Sequence, residues 1–260
     1  MLQPNESILQ YRQRLGRPLV MGHRGAMGYA PENTMASFEL AKSMGVDAIE
    51  LDVHLSKDGH LMVIHDETLD RTTSGSGPIE AFTKDEILAL DAGSKFDAKF
   101  AGERVPTLEA VLTWAKGNLP VVIEVKLQRD WEKTVEAVIE LVDRLEVGDQ
   151  IAVISFDHYI PRGVKKRRPH WQAAALYVGR VVDPVGLAGA TLANGLLPQF
   201  MFVTPDLVTA MHAEGKWVGC WCPNSEGELK HAIAMGADMI GTNYPDRLMK
   251  LLGMPAGQQA

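Results

Sequence analysis

Two histidines, an arginine, a lysine and three carboxylates stand out as groups that could work together. His23 and Arg24 open the segment HRGAMGYAPENT, Glu50 and Asp52 sit in AIELDVHL, His65 follows LMVI, and Glu124 and Lys126 lie in VVIEVK. In Ala48–Leu55 the apolar residues Ile49, Leu51, Val53 and Leu55 alternate with Glu50, Asp52 and His54, the period of two that marks a strand. Glu50 and Asp52 then share one face, about 7 Å apart along the backbone. Adjacent carboxylates repel unless a cation or a shared proton neutralises them. Taken alone, the pair also fits a half-exposed strand with a wet acidic face. Glu124, which interrupts a β-branched run, adds a third carboxylate and points to a metal. All-oxygen ligation suits Mg2+ or Ca2+ over Zn2+ or copper. The alternative is a salt-bridged cluster with Arg24 and Lys126.

His23 and His65 are the candidates for moving protons, because imidazole titrates near neutral pH. A lone histidine at a strand end more often has a structural role, but two that flank the carboxylates favour catalysis. The other histidines lack this placement. His54 shares the Asp52 face and fits a supporting role, while His60, His158, His170, His212 and His231 fall in expected turns or helices. Arg24 and Lys126 are suited to clamping phosphate oxygens, the arginine through a bidentate fork. The basic run Lys165–Arg168 lies at an expected helix C-terminus, where it complements the dipole as a solvated face.

These groups need a frame that brings them together. Pro18–Gly22 is an apolar strand ending at His23, Pro31 and Asn33 open a helix that Gly45 closes, and Ala48–Leu55 is the second strand. After the turn Ser56–Gly59, the run Leu61–Ile64 delivers His65. Thr107 caps a helix through Ala115. Strands then recur at Pro120–Val125, Gln150–Ser155, Ala173–Val178, Phe200–Val203, Trp217–Cys222 and Asp238–Gly241. Helices alternate with them at Trp131–Glu146, Asp157–Lys166, Pro184–Asn194, Pro205–Glu214, Glu226–Met235 and Pro245–Leu252. Regular alternation implies a parallel sheet, and eight strand–helix units imply a closed α/β barrel of the (β/α)8 kind. In such barrels the C-terminal strand ends carry the chemistry, and the polar residues singled out here fall at those ends, with Ser155, Trp221, Asn224, Thr242 and Asn243 beside them. Leu69–Arg104 departs from the pattern. It is rich in Gly, Ser and Thr with a short helical piece near Lys84–Leu90, and reads as an insertion packed over one end of the fold. Residues 1–17 read as a short polar helix or arm. No Gly-x-Gly-x-x-Gly follows a strand, which argues against a nucleotide cofactor.

Composition narrows the function further. The 260 residues, 46% hydrophobic, are enough for one large α/β barrel. A net charge of -7 argues against non-specific nucleic-acid binding and leaves any anionic substrate to local cations or a metal. No stretch has signal-peptide character or approaches the roughly 18 apolar residues of a membrane span. Cys220 and Cys222, two apart on an expected strand, read as reduced core thiols. The expectation is a soluble cytoplasmic protein, with no indication of its oligomeric state.

A set of ordered motifs runs along the chain: His23-Arg24-Gly25 with Pro31-Glu32-Asn33-Thr34, Glu50-Leu51-Asp52-Val53, Lys57-Asp58-Gly59, His65-Asp66, Arg71-Thr72-Thr73, Gly75-x-Gly77, Val105-Pro106-Thr107-Leu108-Glu109, Glu124-Val125-Lys126 and Gly241-Thr242-Asn243-Tyr244-Pro245-Asp246. Together they resemble the glycerophosphodiester phosphodiesterase family, in its small single-domain bacterial form. The resemblance implies a single TIM-barrel domain over residues 1–260, with 69–104 as a capping insertion. It implies metal-dependent hydrolysis of substrates such as glycerophosphocholine or glycerophosphoethanolamine to sn-glycerol 3-phosphate and an alcohol. It also implies that His23 and His65 form the acid/base pair, that Glu50, Asp52 and Glu124 hold Mg2+ or Ca2+, and that Arg24 and Lys126 face the phosphate. Trp221 then offers an apolar wall for the glycerol carbons. One departure is Trp221-Cys222-Pro223-Asn224, where many members carry Trp-Thr-Val-Asn; Pro223 stiffens this loop. Two rivals stand beside this reading. A phospholipase D-like relative acting on lysophospholipids would favour an apolar rim, whereas the insertion is polar, with only Phe82, Phe96 and Phe100 as candidates. An inactive phosphodiester-binding module is disfavoured by the intact histidines and carboxylates.

Overall fold

In the computed structural model, which describes residues 3, 6–127 and 130–255, the alternation seen in the sequence becomes a closed barrel. The strands are β1 (Leu19–Gly22), β2 (Ala48–Leu55), β3 (Leu61–Val63), β4 (Val121–Val125), β5 (Ile151–Ser155), β6 (Gln172–Tyr177), β7 (Gly195–Pro198), β8 (Trp217–Cys220) and β9 (Met239–Thr242). The helices are α1 (Ile8–Leu15), α2 (Met35–Met44), α3 (Lys84–Leu88), α4 (Leu108–Ala115), α5 (Trp131–Leu145), α6 (Tyr159–Arg167), α7 (Pro184–Ala190), α8 (Pro205–Ala213), α9 (Glu226–Ala234) and α10 (Pro245–Leu251). All strands but β3 run parallel, in the order β1-β9-β8-β7-β6-β5-β4-β2, and a β1–β2 pairing closes the ring. The result is a (β/α)8 TIM barrel.

Alternation along each strand sorts the side chains between two layers. On β2, Ile49, Leu51 and Val53 face outward and pack with Phe38, Leu108 and Val135 from the surrounding helices. The inward residues of the lower barrel, among them Met21, Ala48, Val122, Ile154 and Trp217, form a separate cluster. Trp217 fills much of this interior, and Gly195 makes room for it: a Cβ there would stand 2.3 Å from the indole. The floor is closed by α1. Ser7 and Gln10 form a reciprocal capping box at its start, and Ile8, Leu9 and Tyr11 plug the barrel from below. The expected polar arm is therefore an amphipathic stopper; residues 1, 2, 4 and 5 of that arm lie outside the described residues. Arg17 clamps Asp47 at 2.6 and 2.9 Å, tying the stopper to the start of β2.

Several expected elements shift. The seventh barrel strand is Gly195–Pro198, and the aromatic run expected to form it is a short 3-10 turn, Phe200–Phe202. Proline at the end of β7 and the demand for a small residue beside Trp217 outweigh the β-propensity of Phe-Met-Phe-Val. The strand expected over Trp217–Cys222 stops at Cys220. Helix α2 begins at Met35, capped by the Thr34 hydroxyl, while Asn33 is left-handed at φ 58. The Leu61–Val63 run pairs antiparallel with β2 and stands outside the ring. The segment beyond it has a small core of its own, with Leu69, Ile79, Ile87, Ala92 and Val105 packed under Met62 and Ile64. Among the described residues no helix is long and apolar enough to cross a membrane.

Candidate active site

Register gathers the carboxylates. Strands β2 and β4 pair with Asp52 beside Glu124, and β1 and β2 pair with Gly22 beside Ile49, which sets His23 next to Glu50. Glu50, Asp52 and Glu124 all point inward at the C-terminal mouth and are buried. One ligand oxygen from each lies within 4.8 Å of the others. The wet acidic face that a half-exposed strand would have is absent: this is a sealed cluster inside the barrel.

A tight turn after β1 builds one side of the cluster. Arg24 and Gly25 are both left-handed, at φ 50 and 82, and a Cβ on residue 25 would collide with Ser37 Oγ at 2.4 Å. The turn aims the Arg24 amide at Glu50 Oε2 (2.9 Å). It also brings the guanidinium Nε to 3.2 Å from Asp52 and Nη1 to 2.9 Å from Glu32. The left-handed Asn33 donates from Nδ2 to Asp52 Oδ2 at 2.8 Å. Lys126 reaches in from β4, 2.6 Å from Glu124 and 3.3 Å from Asp52.

Both candidate histidines are held by Nδ1. His23 Nδ1 lies 2.7 Å from Asn243 Oδ1; an amide oxygen only accepts, so Nδ1 carries the hydrogen. Its Nε2 is left facing Glu50 at 4.0 Å. His65 Nδ1 lies 2.6 Å from Asp66, and Asp66 is in turn gripped by Arg71, which also reaches Glu32 at 2.7 and 2.8 Å. Glu32 thereby couples Arg24 to Arg71. His54, on the inward face of β2, bonds through Nε2 to the His65 carbonyl at 3.0 Å, the supporting place expected for it. Ser155 is spent elsewhere: it donates to the Val125 carbonyl and caps the turn at Asp157.

Across the mouth, Trp221 donates its indole N–H to the Leu197 carbonyl at 3.1 Å, which fixes the ring at the end of β8. Cys222 is not the core thiol expected. It is partly exposed past the strand end, with Sγ 3.1 Å from the Asn243 oxygen that holds His23. Cys220 is the buried one. Asn224 Oδ1 accepts from Thr242 Oγ1 and the Asn243 amide, locking the loops after β8 and β9 together.

Comparison with known proteins gives this geometry a family. Residues 23–247 match the model of the glycerophosphoryl diester phosphodiesterase family. A glycerophosphodiester phosphodiesterase from Caldanaerobacter subterraneus is 38% identical over 239 residues, covering 91% of this chain and 98% of the relative. This chain belongs to the glycerophosphodiester phosphodiesterase family. Among solved structures, the family enzyme from Agrobacterium tumefaciens superposes with a TM-score of 0.79 at 31% identity, covering 90% of this chain and 99% of the other. An Oleispira antarctica phosphodiesterase, in complex with the product sn-glycerol-3-phosphate, superposes with a TM-score of 0.84 at 27% identity, covering 92% and 98%.

The acidic triad of this phosphodiesterase fits a divalent ion. Glu50 Oε1 is buried without a hydrogen-bond partner, and Asp52 Oδ1 has only the Lys126 ammonium at 3.3 Å, an arrangement that costs a folded protein unless a further cation completes it. Burial, then the charges of Asp52 and Glu124, push Glu50 well above the usual carboxylate range. Burial and Asp52 likewise raise Glu124 to about 7. Burial acts the same way on Asp52, but Arg24 and Lys126 outweigh it and hold its pKa down. The chain's own two cations thus ionise one carboxylate fully, and full ionisation of three needs further positive charge. The hard oxygen donors suit a cation of the Mg2+ or Ca2+ type.

Sequence reasoning gives no site role to Glu32, Asp66 or Arg71, reads Asn33 as a helix start and Cys222 as a core thiol, and places Asn243 at a strand end without a partner. Their motifs were visible, but each acts through a partner distant in sequence, so only the closed barrel reveals what they hold.

Proposed function

We propose that this phosphodiesterase hydrolyses glycerophosphodiesters such as glycerophosphocholine and glycerophosphoethanolamine to sn-glycerol 3-phosphate and an alcohol. The observation that carries the reading is the meeting of three buried carboxylates, with Glu50 Oε1 left unpartnered, and two imidazoles anchored by Nδ1. The product bound by the Oleispira antarctica relative supports the substrate class.

Glu50, Asp52 and Glu124 would hold Mg2+ or Ca2+, which supplies charge neutralisation at the phosphoryl oxygens. Arg24 and Lys126 add their own positive charge there. Burial pulls the His65 pKa below its ordinary value despite Asp52 and Asp66, so the ring is neutral near pH 7 and suited to take a proton from the attacking oxygen. His23 goes the other way: burial opposes its charge, but the Cys222 sulfur and Asp52 more than offset this and raise its pKa. A ring that keeps its proton suits protonation of the leaving alkoxide. Trp221 lines the side where the glycerol carbons would lie. The same reading takes residues 1–260 as one catalytic domain, 69–104 as its cap, and a small soluble diester in the cytoplasm as its partner.

The test is glycerol 3-phosphate release from glycerophosphocholine, with and without a chelator. Release that stops with chelator and returns with Mg2+ or Ca2+ is expected. Unchanged release after exhaustive chelation would remove the metal, and no release under any condition would remove the activity.

A further inference from the structure

Arg71 projects from a turn that is pinned on both sides. Before it, the Asp70 carboxylate accepts from Ser76 Oγ at 2.6 Å and from the Gly77 amide at 3.0 Å, and the Asp70 carbonyl accepts from the Lys95 amine. After it, the buried Thr73 donates its hydroxyl to the Leu69 carbonyl at 2.7 Å and accepts from the Gly75 amide at 3.0 Å. Leu69 belongs to the small core of this segment. Gly77 takes a positive φ of 107, and a Cβ on residue 75 would stand 2.6 Å from Leu90. Ordering a polar turn costs conformational entropy, and this one presents a single guanidinium to Glu32 and Asp66.

That guanidinium grips two carboxylates at once. Nε and Nη2 donate to Asp66 at 2.6 and 3.0 Å, while Nη1 and Nη2 donate to Glu32 at 2.7 and 2.8 Å. This needs the planar fork of arginine, which lysine lacks. The accepting oxygens are shared with the site. Glu32 Oε1 also accepts from Arg24 Nη1 at 2.9 Å, and Asp66 Oδ1 also accepts from His65 Nδ1 at 2.6 Å. Arg24 is itself fixed by its amide on Glu50 and its Nε beside Asp52. Charges therefore alternate from Asp52 through Arg24, Glu32, Arg71 and Asp66 to the His65 ring. Arg71 is the most open link, its side chain 47% exposed against 14% for Arg24 and 11% for Glu32. An ion pair that open adds little to stability, whereas two bidentate grips set a direction.

We infer that Arg71 is a positioning residue: held by Glu32 from the Arg24 side, it fixes the Asp66 carboxylate and, through it, the His65 ring. The inference rests on the phosphodiesterase reading above, in which His65 takes the proton from the attacking oxygen. Proton transfer needs the imidazole nitrogen within hydrogen-bond reach of that oxygen. With Nδ1 tied to Asp66, the aim of Nε2 follows the Asp66 side chain. Gripped by Arg71 on both oxygens, that side chain keeps one rotamer; released, it can turn among several and carry the ring with it. Segment 69–104 thus contributes to turnover as well as to covering the site, and Arg71-Thr72-Thr73 is the part of it that does so.

The experiment measures glycerophosphocholine cleavage, with Ca2+ or Mg2+ saturating, by the wild type, Arg71→Ala, Arg71→Lys, Asp66→Ala and the double variant Arg71→Ala with Asp66→Ala. Arg71→Ala should lower kcat by on the order of 10-fold or more with KM little changed. Its melting temperature should stay within about 4 °C of the wild type, because the lost ion pairs are open to water. Arg71→Lys keeps the charge without the fork, so it should recover little of the lost turnover. Because Arg71 acts through Asp66, the double variant should turn over within about 2-fold of Asp66→Ala alone. Wild-type turnover in Arg71→Ala, full recovery by lysine, or losses that multiply in the double variant would each overturn the inference. So would a loss of turnover that comes with a much larger fall in melting temperature, since Arg71 would then hold the segment in place and not the ring. All of these outcomes leave the phosphodiesterase reading standing; a wild type that cleaves no glycerophosphocholine removes both.

Discussion

Asp52 and Glu124 stand side by side on β2 and β4, and the Lys126 amine bridges them, 3.3 Å from one and 2.6 Å from the other. A single lysine thus serves two buried carboxylates, with Glu50 adding a third negative charge close by. Burial and then the charge of Asp52 raise the Glu124 pKa from the usual 4.5 to about 7, against the opposing pull of Lys126 and Arg24. A raised carboxylate pKa favours the protonated folded state, so its stabilising effect is present at low pH and is lost as pH rises through the folded value. The metal-free protein should melt progressively lower between about pH 5 and 7.5. Bound metal needs the ionised ligands, so the gain in melting temperature on adding Ca2+ or Mg2+ should be larger at pH 8 than at pH 6. Thermal melts at both values check this; equal gains would contradict it.

His23→Ala and His65→Ala should each lower turnover by on the order of 100-fold or more without changing the circular dichroism spectrum, because neither ring belongs to the hydrophobic core. The two variants should differ in their pH profiles. A base must be deprotonated, so loss of His65 should abolish the acidic limb; an acid must be protonated, so loss of His23 should abolish the basic limb. Swapped limbs would reverse the two roles, and near-normal turnover in both would remove the acid/base assignment.

Asp66 anchors His65 at 2.6 Å and is itself held by Arg71. Hydrogen bonds to Arg71 and His65 keep its pKa below the usual range despite partial burial, so it stays ionised at working pH. Asp66→Asn retains an oxygen that can accept from Nδ1, whereas Asp66→Ala retains nothing. Turnover should therefore fall in the order wild type, Asn, Ala, the last by on the order of 10-fold or more, with KM little changed. A change confined to KM would mean that Asp66 touches substrate instead of positioning the ring.

Much of the barrel could be read from alternation alone, because βα units repeat a simple periodic pattern and the inward carboxylates of β2 break it visibly. What failed had local causes. β-Propensity places the seventh strand on Phe200–Val203, whereas a short strand beside a bulky interior residue needs a glycine, and nothing near Gly195 advertises Trp217. Asn33 reads as part of a helix start because the same residue types cap helices and form left-handed turns.

Cys222 offers the last test. Its sulfur lies 3.1 Å from Asn243 Oδ1, the atom that accepts from His23 at 2.7 Å, and it is partly open to solvent while Cys220 is sealed. Burial pushes the Cys220 thiol far above the usual range, and only a thiolate reacts readily. A small thiol reagent should therefore modify Cys222 first. The added group would occupy the space beside Asn243 and unseat the His23 ring, and activity should drop by on the order of 10-fold or more. Cys222→Ser keeps a hydroxyl that can donate to the same oxygen, so it should retain activity and resist the reagent. Mass spectrometry locates the adduct and an activity assay follows it. A serine variant inhibited as fully as the wild type would separate Cys222 from the His23 anchor.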